Sequence, residues 1–125
     1  MNIILWVLQV LLALAFLAHG AFLLFPPAEM LAQMAFMPTA FRIFLGVAEV
    51  LAGIGLTLPG ITRILPAFVP AAAVGIMVVM ISAAVFHIAR GETSATITTA
   101  ILFIMATFVA YMRWKVMPIL PRPAR

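Results

Sequence analysis

Four long runs of apolar residues make up nearly the whole chain, and the short segments between them hold most of the prolines and charged residues. A helix needs about 20 apolar residues to cross the hydrocarbon core of a bilayer. The pattern therefore predicts four membrane-spanning helices, at residues 3–25, 39–58, 66–89 and 95–114. The fold class that follows is all-α, an integral membrane four-helix bundle.

Prolines and glycines mark where these spans begin and end. Pro26-Pro27 is predicted to stop the first helix, Pro59-Gly60 to stop the second, and Pro66 to open the third. Because proline lacks a backbone N–H, each of these positions is a poor site for the interior of a helix.

The segments outside the spans are short, so residues 1–125 are expected to form a single transmembrane domain. Residues 28–37 carry methionines and a leucine at helical intervals, which predicts an amphipathic segment lying on the membrane interface. Residues 117–125 are rich in proline and arginine and are predicted to form a loose basic tail.

The composition narrows the class of protein. Apolar residues make up 67% of the chain and charged residues 8%, too few polar side chains to cover a water-soluble globule. A soluble enzyme is therefore excluded. The chain has no cysteine, which excludes disulfides, thiolate ligation of iron–sulfur clusters, covalent c-type haem and a cysteine nucleophile. Redox chemistry would need a separate cofactor.

The distribution of cations predicts the orientation in the membrane. Four spans put both termini and the loop at residues 59–65 on one side. That side holds five cationic side chains: Arg63, Arg113, Lys115, Arg122 and Arg125. The other side holds Arg42 and Arg90. Cytoplasmic loops are enriched in Lys and Arg, so we expect the N- and C-termini to be cytoplasmic. The basic residues are expected to contact the lipid bilayer, and no binding to nucleic acid is expected.

The second span carries a stripe of polar and small residues. Arg42, Gly46, Glu49 and Gly53 are spaced 4, 3 and 4 residues apart and fall on one helix face. The glycines are predicted to pack against a neighbouring helix. Glu49 is either a protonated, hydrogen-bonded member of a packing seam or part of a small-molecule or proton site with Arg42 at its mouth.

Other polar residues are predicted to lie at a similar depth, in the half of the bilayer away from the cytoplasm. A ligand-binding pocket there would combine residues from all four spans: Glu49, Arg42, His19, His87, Ser82, Thr96 and Thr99. Each histidine could instead be an ordinary buried residue. His19 and His87 could also be axial ligands of a b-type haem, or join Glu49 in a metal site. We predict no metal and assign no catalytic residue.

The arrangement of these residues resembles a known family. Its features are glycines, a glutamate, a proline and a histidine: Gly46-x-x-Glu49-x-x-x-Gly53, Gly55-Leu56-x-Leu58-Pro59 and His87. With them, residues 3–114 resemble the DoxX and DoxX-like membrane proteins. The resemblance implies a four-helix inner-membrane protein, in a family linked to thiosulfate:quinone oxidoreductase subunits, quinone or aromatic-compound stress, and redox-protein assemblies. More distant relatives are similar to a receptor-assembly chaperone.

Two functions of different classes follow. The first is an accessory protein, rather than a stand-alone enzyme, that binds a quinone or similar lipophilic aromatic molecule. Glu49 would exchange a proton, His19 and His87 would hydrogen-bond carbonyls, and Arg42 would stabilise negative charge. The second is a structural or chaperone-like subunit that packs through Gly46 and Gly53 against a membrane-protein partner or another copy of itself. A b-type haem protein and a transporter are further alternatives.

Overall fold

The computed structural model describes residues 1–124 and is helical throughout its regular parts. Its five α-helices are α1 (Asn2–Leu24), α2 (Ala28–Leu31), α3 (Thr39–Thr62), α4 (Phe68–Ala89) and α5 (Thr93–Tyr111). A 3₁₀ turn at Ala32–Met34 follows α2, and a π-helical turn at Met112–Val116 extends α5. Residues 1–124 contain no β-strand. The predicted all-α class is confirmed.

Four of these helices are long and apolar enough to cross a membrane: α1, α3, α4, and α5 together with its π-helical turn. Large apolar side chains cover their outer surfaces. Ile3, Phe44, Val85 and Ile104 are each more than 60% exposed, which suits a lipid environment and not an aqueous one. The protein is therefore a multi-pass integral membrane protein.

The second long helix runs further than expected. The prediction that Pro59-Gly60 ends it is wrong, because α3 continues to Thr62 with Pro59 inside. Pro59 cannot donate a hydrogen bond to the carbonyl of Gly55. Gln9 of α1 supplies a bond to the next carbonyl, that of Leu56, over 2.7 Å. Polar contacts from a neighbouring helix to the backbone near a proline are common in membrane helices.

The four long helices form a ring. α1 packs along α3 and α4 along α5, and the contacts of α3 with α4 and of α1 with α5 join the two pairs. The core between them contains Leu12, Phe16, Leu56, Ile76 and Val109, all nearly fully buried.

The two ends of the bundle differ. The tail end holds the start of α1, the loop at residues 63–67 and the chain after Tyr111. The α2 end holds residues 25–38 and the turn at residues 90–92.

The C-terminal segment differs from a fully loose tail. Residues 117–124 have no regular secondary structure, but they are attached to the bundle at Arg63. The guanidinium of Arg63 donates to the carbonyls of Leu120 (2.8 Å) and Pro121 (3.1 Å), and the backbone N–H of Arg122 donates to the carbonyl of Arg63. Arg125 lies outside the described residues.

Candidate functional site

Glycines bring α1 and α3 into close contact. A Cβ atom added at Gly20 would lie 2.8 Å from the carbonyl oxygen of Gly46. Added Cβ atoms at Gly46 and Gly53 would lie 2.8 and 2.7 Å from the Cγ atoms of Leu24 and Leu17. The glycine-bearing face of α3 therefore packs against α1 within the same chain.

The close contact places His19 beside Glu49. Nδ1 of His19 lies 2.6 Å from Oε2 of Glu49. The Glu49 side chain is 3% exposed, whereas that of His19 is 58% exposed. Glu49 lies ten residues into the 24-residue helix α3, near the middle of that helix. Of the two buried charged residues in the described chain, Glu49 and Arg113, it is the one near the middle of its helix.

The hydrogen bond between the two side chains requires a proton between Nδ1 and Oε2. Net charge is costly inside a bilayer, which favours the forms of the pair that carry no net charge. These forms are an imidazolium beside a carboxylate and a neutral imidazole beside a carboxylic acid. In either form the pair holds a proton that it can exchange.

A groove of about 500 Å³ runs between α3 and α4 and reaches Glu49. We call it the α3–α4 groove. Small residues of both helices line it: Ala48, Ala52, Gly55, Ala71, Ala72 and Gly75. A Cβ atom added at Gly75 would meet no atom within 4 Å, so the space is open there. Phe16 and Ile76 line the groove near Glu49, which is the one charged residue of its lining.

The groove lies in a different half of the helix bundle from the predicted pocket. It extends from Pro59 and Phe68 at the tail end to Glu49 and Val79 near the middle of the helices. The expected pocket was in the α2-end half. Residue size explains the difference, because the small residues of α3 and α4 face one another in the tail-end half. The lining is also largely apolar, apart from Glu49.

Arg42 does not contact Glu49. Its Nη1 donates a hydrogen bond to the carbonyl oxygen of Leu23, near the C-terminal end of α1. The last carbonyls of a helix have no partner within that helix. Arg42 therefore satisfies the end of α1 and ties it to α3.

His87 belongs to a separate cluster at the α2 end. Its Nδ1 lies 3.4 Å from Oε1 of Glu92, and Nε of Arg90 donates to the same oxygen over 2.9 Å. The guanidinium carbon of Arg90 also lies 5.0 Å from the ring centre of Phe36 and 5.1 Å from that of Phe86. The signal for this cluster in the sequence is the pair of opposite charges at residues 90 and 92.

The three hydroxyl residues are bonded within their own helices. Ser82 donates to the carbonyl of Val78, Thr96 to that of Glu92, and Thr99 to that of Ala95. The structure thus brings together only His19 and Glu49 of the seven predicted ligand-binding residues.

The haem and metal alternatives gain no support from the placement of the histidines. His19 pairs with Glu49, and His87 pairs with Glu92. Within residues 1–124, no three His, Asp or Glu side chains lie close enough together to hold a metal ion.

A polar network at the tail end was not predicted. Arg113 donates from Nε to Oε1 of Gln9 (2.6 Å) and from Nη1 to Oδ1 of Asn2 (2.8 Å) and the carbonyl of Met117 (3.0 Å). Gln9 and Arg113 are both buried. The available signal was the presence of Gln9 and Arg113 inside two apolar spans, since intramembrane polar residues normally have partners.

Comparison with known proteins identifies the family. No curated protein and no solved structure matches the chain. The model of the DoxX-like family matches residues 7–109, a range that contains the glycine contacts, the His19–Glu49 pair and the α3–α4 groove. The family resemblance predicted from the sequence is thereby confirmed, and the chain belongs to the DoxX-like family.

Proposed function

We propose that this DoxX-like membrane protein is an accessory protein that binds a quinone, or a similar lipophilic aromatic molecule, in the α3–α4 groove. The observation that carries the proposal is the position of Glu49. A nearly fully buried carboxyl group at the end of an otherwise apolar groove is costly in a bilayer, and such groups usually mark a functional site.

The dimensions and lining of the groove support a ligand of this class. Pockets for small molecules commonly measure about 300–1,000 Å³ and combine apolar walls with a few polar groups. At about 500 Å³, the groove can hold an aromatic ring and part of an apolar side chain. Glu49 provides the polar group that fixes the orientation of the ring.

The hydrogen-bonding capacity of Glu49 suits both states of a quinone. A carboxylate accepts a hydrogen bond from a quinol hydroxyl, and a carboxylic acid donates one to a quinone carbonyl. His19 holds the carboxyl group through Oε2 and is itself half-exposed. His19 can therefore exchange a proton with Glu49 without entering the groove, whose lining does not include it.

The proposal includes a location and an orientation. We place the protein in the inner membrane with both termini in the cytoplasm, which puts the α3–α4 groove in the cytoplasmic half of the bilayer. The charge asymmetry of the chain supports this orientation. Electrons would be exchanged between the bound quinone and a membrane oxidoreductase, while this chain binds the quinone and handles a proton.

Binding of decylubiquinone to the full chain in lipid nanodiscs tests the proposal. Gly75→Phe fills the groove, and Glu49→Gln removes the proton-exchanging group with little change of shape. We expect each substitution to weaken binding about tenfold, the loss typical of a charge-assisted hydrogen bond or of a blocked pocket. Titration calorimetry measures the dissociation constants.

Val78→Phe is the matched control, because Val78 is on the same helix, is 60% exposed and does not line the groove. It should bind like the unchanged protein. Equal binding by Gly75→Phe and Val78→Phe would rule out the α3–α4 groove as the site.

The structural-subunit alternative has less support. It needs Gly46 and Gly53 to face a partner, but α1 of the same chain covers both. A protein partner that co-purifies with the unchanged protein, but with neither Glu49→Gln nor Gly75→Phe, would connect ligand binding with assembly. The state of the groove would then control whether the complex forms.

A further inference from the structure

A second groove lies at the tail end, where α4 begins and the C-terminal segment passes the end of α5. Its volume is about 540 Å³. We call it the tail groove. It is lined by Leu65, Pro66, Ala67, Pro70, Ala71, Arg113, Trp114, Pro118, Ile119 and Pro121. Arg113 is the one charged residue in this largely apolar wall.

Among residues 1–124, Arg113 is a buried cation without an anionic partner. It is 3% exposed, and all three of its hydrogen bonds go to neutral acceptors, on Gln9, Asn2 and Met117. Its Nη2 atom is buried and has no hydrogen-bond partner among the described residues. An unpaired buried charge is strongly unfavourable unless a counter-charge compensates it.

No acidic side chain of the chain can supply that counter-charge at the tail end. The sequence has three acidic residues. Glu29 is in α2 and Glu92 precedes α5, both at the α2 end, and Glu49 is in the middle of α3 and pairs with His19. Within the described residues no carboxyl group therefore compensates Arg113, and an anion from another molecule would fit this position.

The position of the tail groove indicates which anion is available. Trp114 lines the groove, and Tyr111 and Trp114 are about 60% exposed, as in the aromatic belts found at the level of lipid headgroups. Apolar walls beside a guanidinium fit an acyl chain next to a phosphate, and guanidinium groups bind phosphate oxygens well.

We propose that the tail groove is a specific site for an anionic phospholipid, with its phosphate on Arg113 and an acyl chain against the apolar walls. Binding at this site differs from the general attraction of a basic surface to an anionic membrane, because it depends on a single buried arginine.

Lipid binding to the purified full chain in detergent tests the proposal. The probes are phosphatidylglycerol and phosphatidylcholine with identical acyl chains, and native mass spectrometry measures the retained lipid. We expect phosphatidylglycerol to bind about tenfold more tightly, and Arg113→Gln to reduce this preference to within about twofold.

Lys115→Gln is the matched control. It removes the same charge two residues away, at an exposed position outside the tail groove, and should keep the preference. An equal loss of preference in Lys115→Gln, or no preference in the unchanged protein, would overturn the proposal in favour of diffuse electrostatic attraction.

Two measurements remain informative if Arg113→Gln fails to fold. Ala67→Trp fills the tail groove without altering the hydrogen bonds of Arg113, and it should also abolish the preference. The melting temperature of the unchanged protein should rise with phosphatidylglycerol and not with phosphatidylcholine, because a ligand stabilises the state that binds it. An equal rise with inorganic phosphate alone would overturn the assignment to a lipid.

Discussion

At the scale of single residues, the His19–Glu49 hydrogen bond makes a testable contribution to stability. His19→Ala leaves the Glu49 carboxyl group buried without its partner. We expect the free energy of unfolding to fall by about 1–3 kcal/mol, the typical cost of an unsatisfied buried polar group. Unfolding by SDS in mixed micelles measures the change.

His87→Ala is the control for this prediction. The contact of His87 with Glu92 is longer, at 3.4 Å, and Glu92 is 41% exposed. Partly exposed ion pairs contribute little, so we expect a change within about 0.5 kcal/mol. Equal losses in the two variants would contradict a special role for the buried pair.

The importance of Glu49 could be predicted from the sequence, but its partner could not. A carboxyl group in the middle of an apolar span is rare enough to indicate a polar site. The choice between His19, His87 and Arg42 as its partner depends on which helix packs against the glycine face of α3. That choice is a tertiary property, and no spacing along the chain encodes it.

At the scale of helices, the contact between α1 and α3 makes a second prediction. Gly20→Ala places a methyl group 2.8 Å from the backbone oxygen of Gly46, which cannot move aside without separating the helices. We expect a loss of about 1–3 kcal/mol in the free energy of unfolding, as for other overpacked contacts. The same SDS titration measures it.

Gly75→Ala is the matched substitution in α4. Its added methyl group meets no atom within 4 Å, and alanine is a better helix former than glycine. The variant should lose no stability. A loss comparable to that of Gly20→Ala would show that helix propensity, and not the close contact, determines both results.

The helices could largely be predicted from the apolar runs, whereas the end of α3 and the position of the groove could not. Length and hydropathy fix a membrane span because few alternatives satisfy the backbone in lipid. Pro59 lies inside α3, next to a contact that only the packed helices create, the hydrogen bond of Gln9 to the carbonyl of Leu56, 47 residues further along the chain. The groove likewise depends on which small residues of α3 and α4 face one another.

At the scale of the whole molecule, the proposed topology makes a third prediction. The chain has no cysteine, so a single introduced cysteine reports one position without background. A membrane-impermeant maleimide added outside intact cells should label Gln33→Cys, at the α2 end, and not Ala124→Cys, at the tail end. Permeabilised cells should label both.

The unchanged protein is the control and should remain unlabelled. The reverse pattern in intact cells would place the termini outside, and would move the α3–α4 groove to the outer half of the bilayer.

The α3–α4 groove is bordered by residues that face the surrounding lipid. Leu51, Ile54 and Phe68 line it and are 61%, 40% and 56% exposed. A guest molecule can therefore enter sideways from the bilayer, and it competes for the space with acyl chains instead of water. The fraction of grooves that are occupied then depends on the mole fraction of the guest molecule in the membrane. A compound that partitions strongly into lipid can therefore fill the groove even if its contacts with the protein are weak. Affinities compared on the scale of aqueous concentration would rank such compounds by their solubility in lipid as much as by their fit.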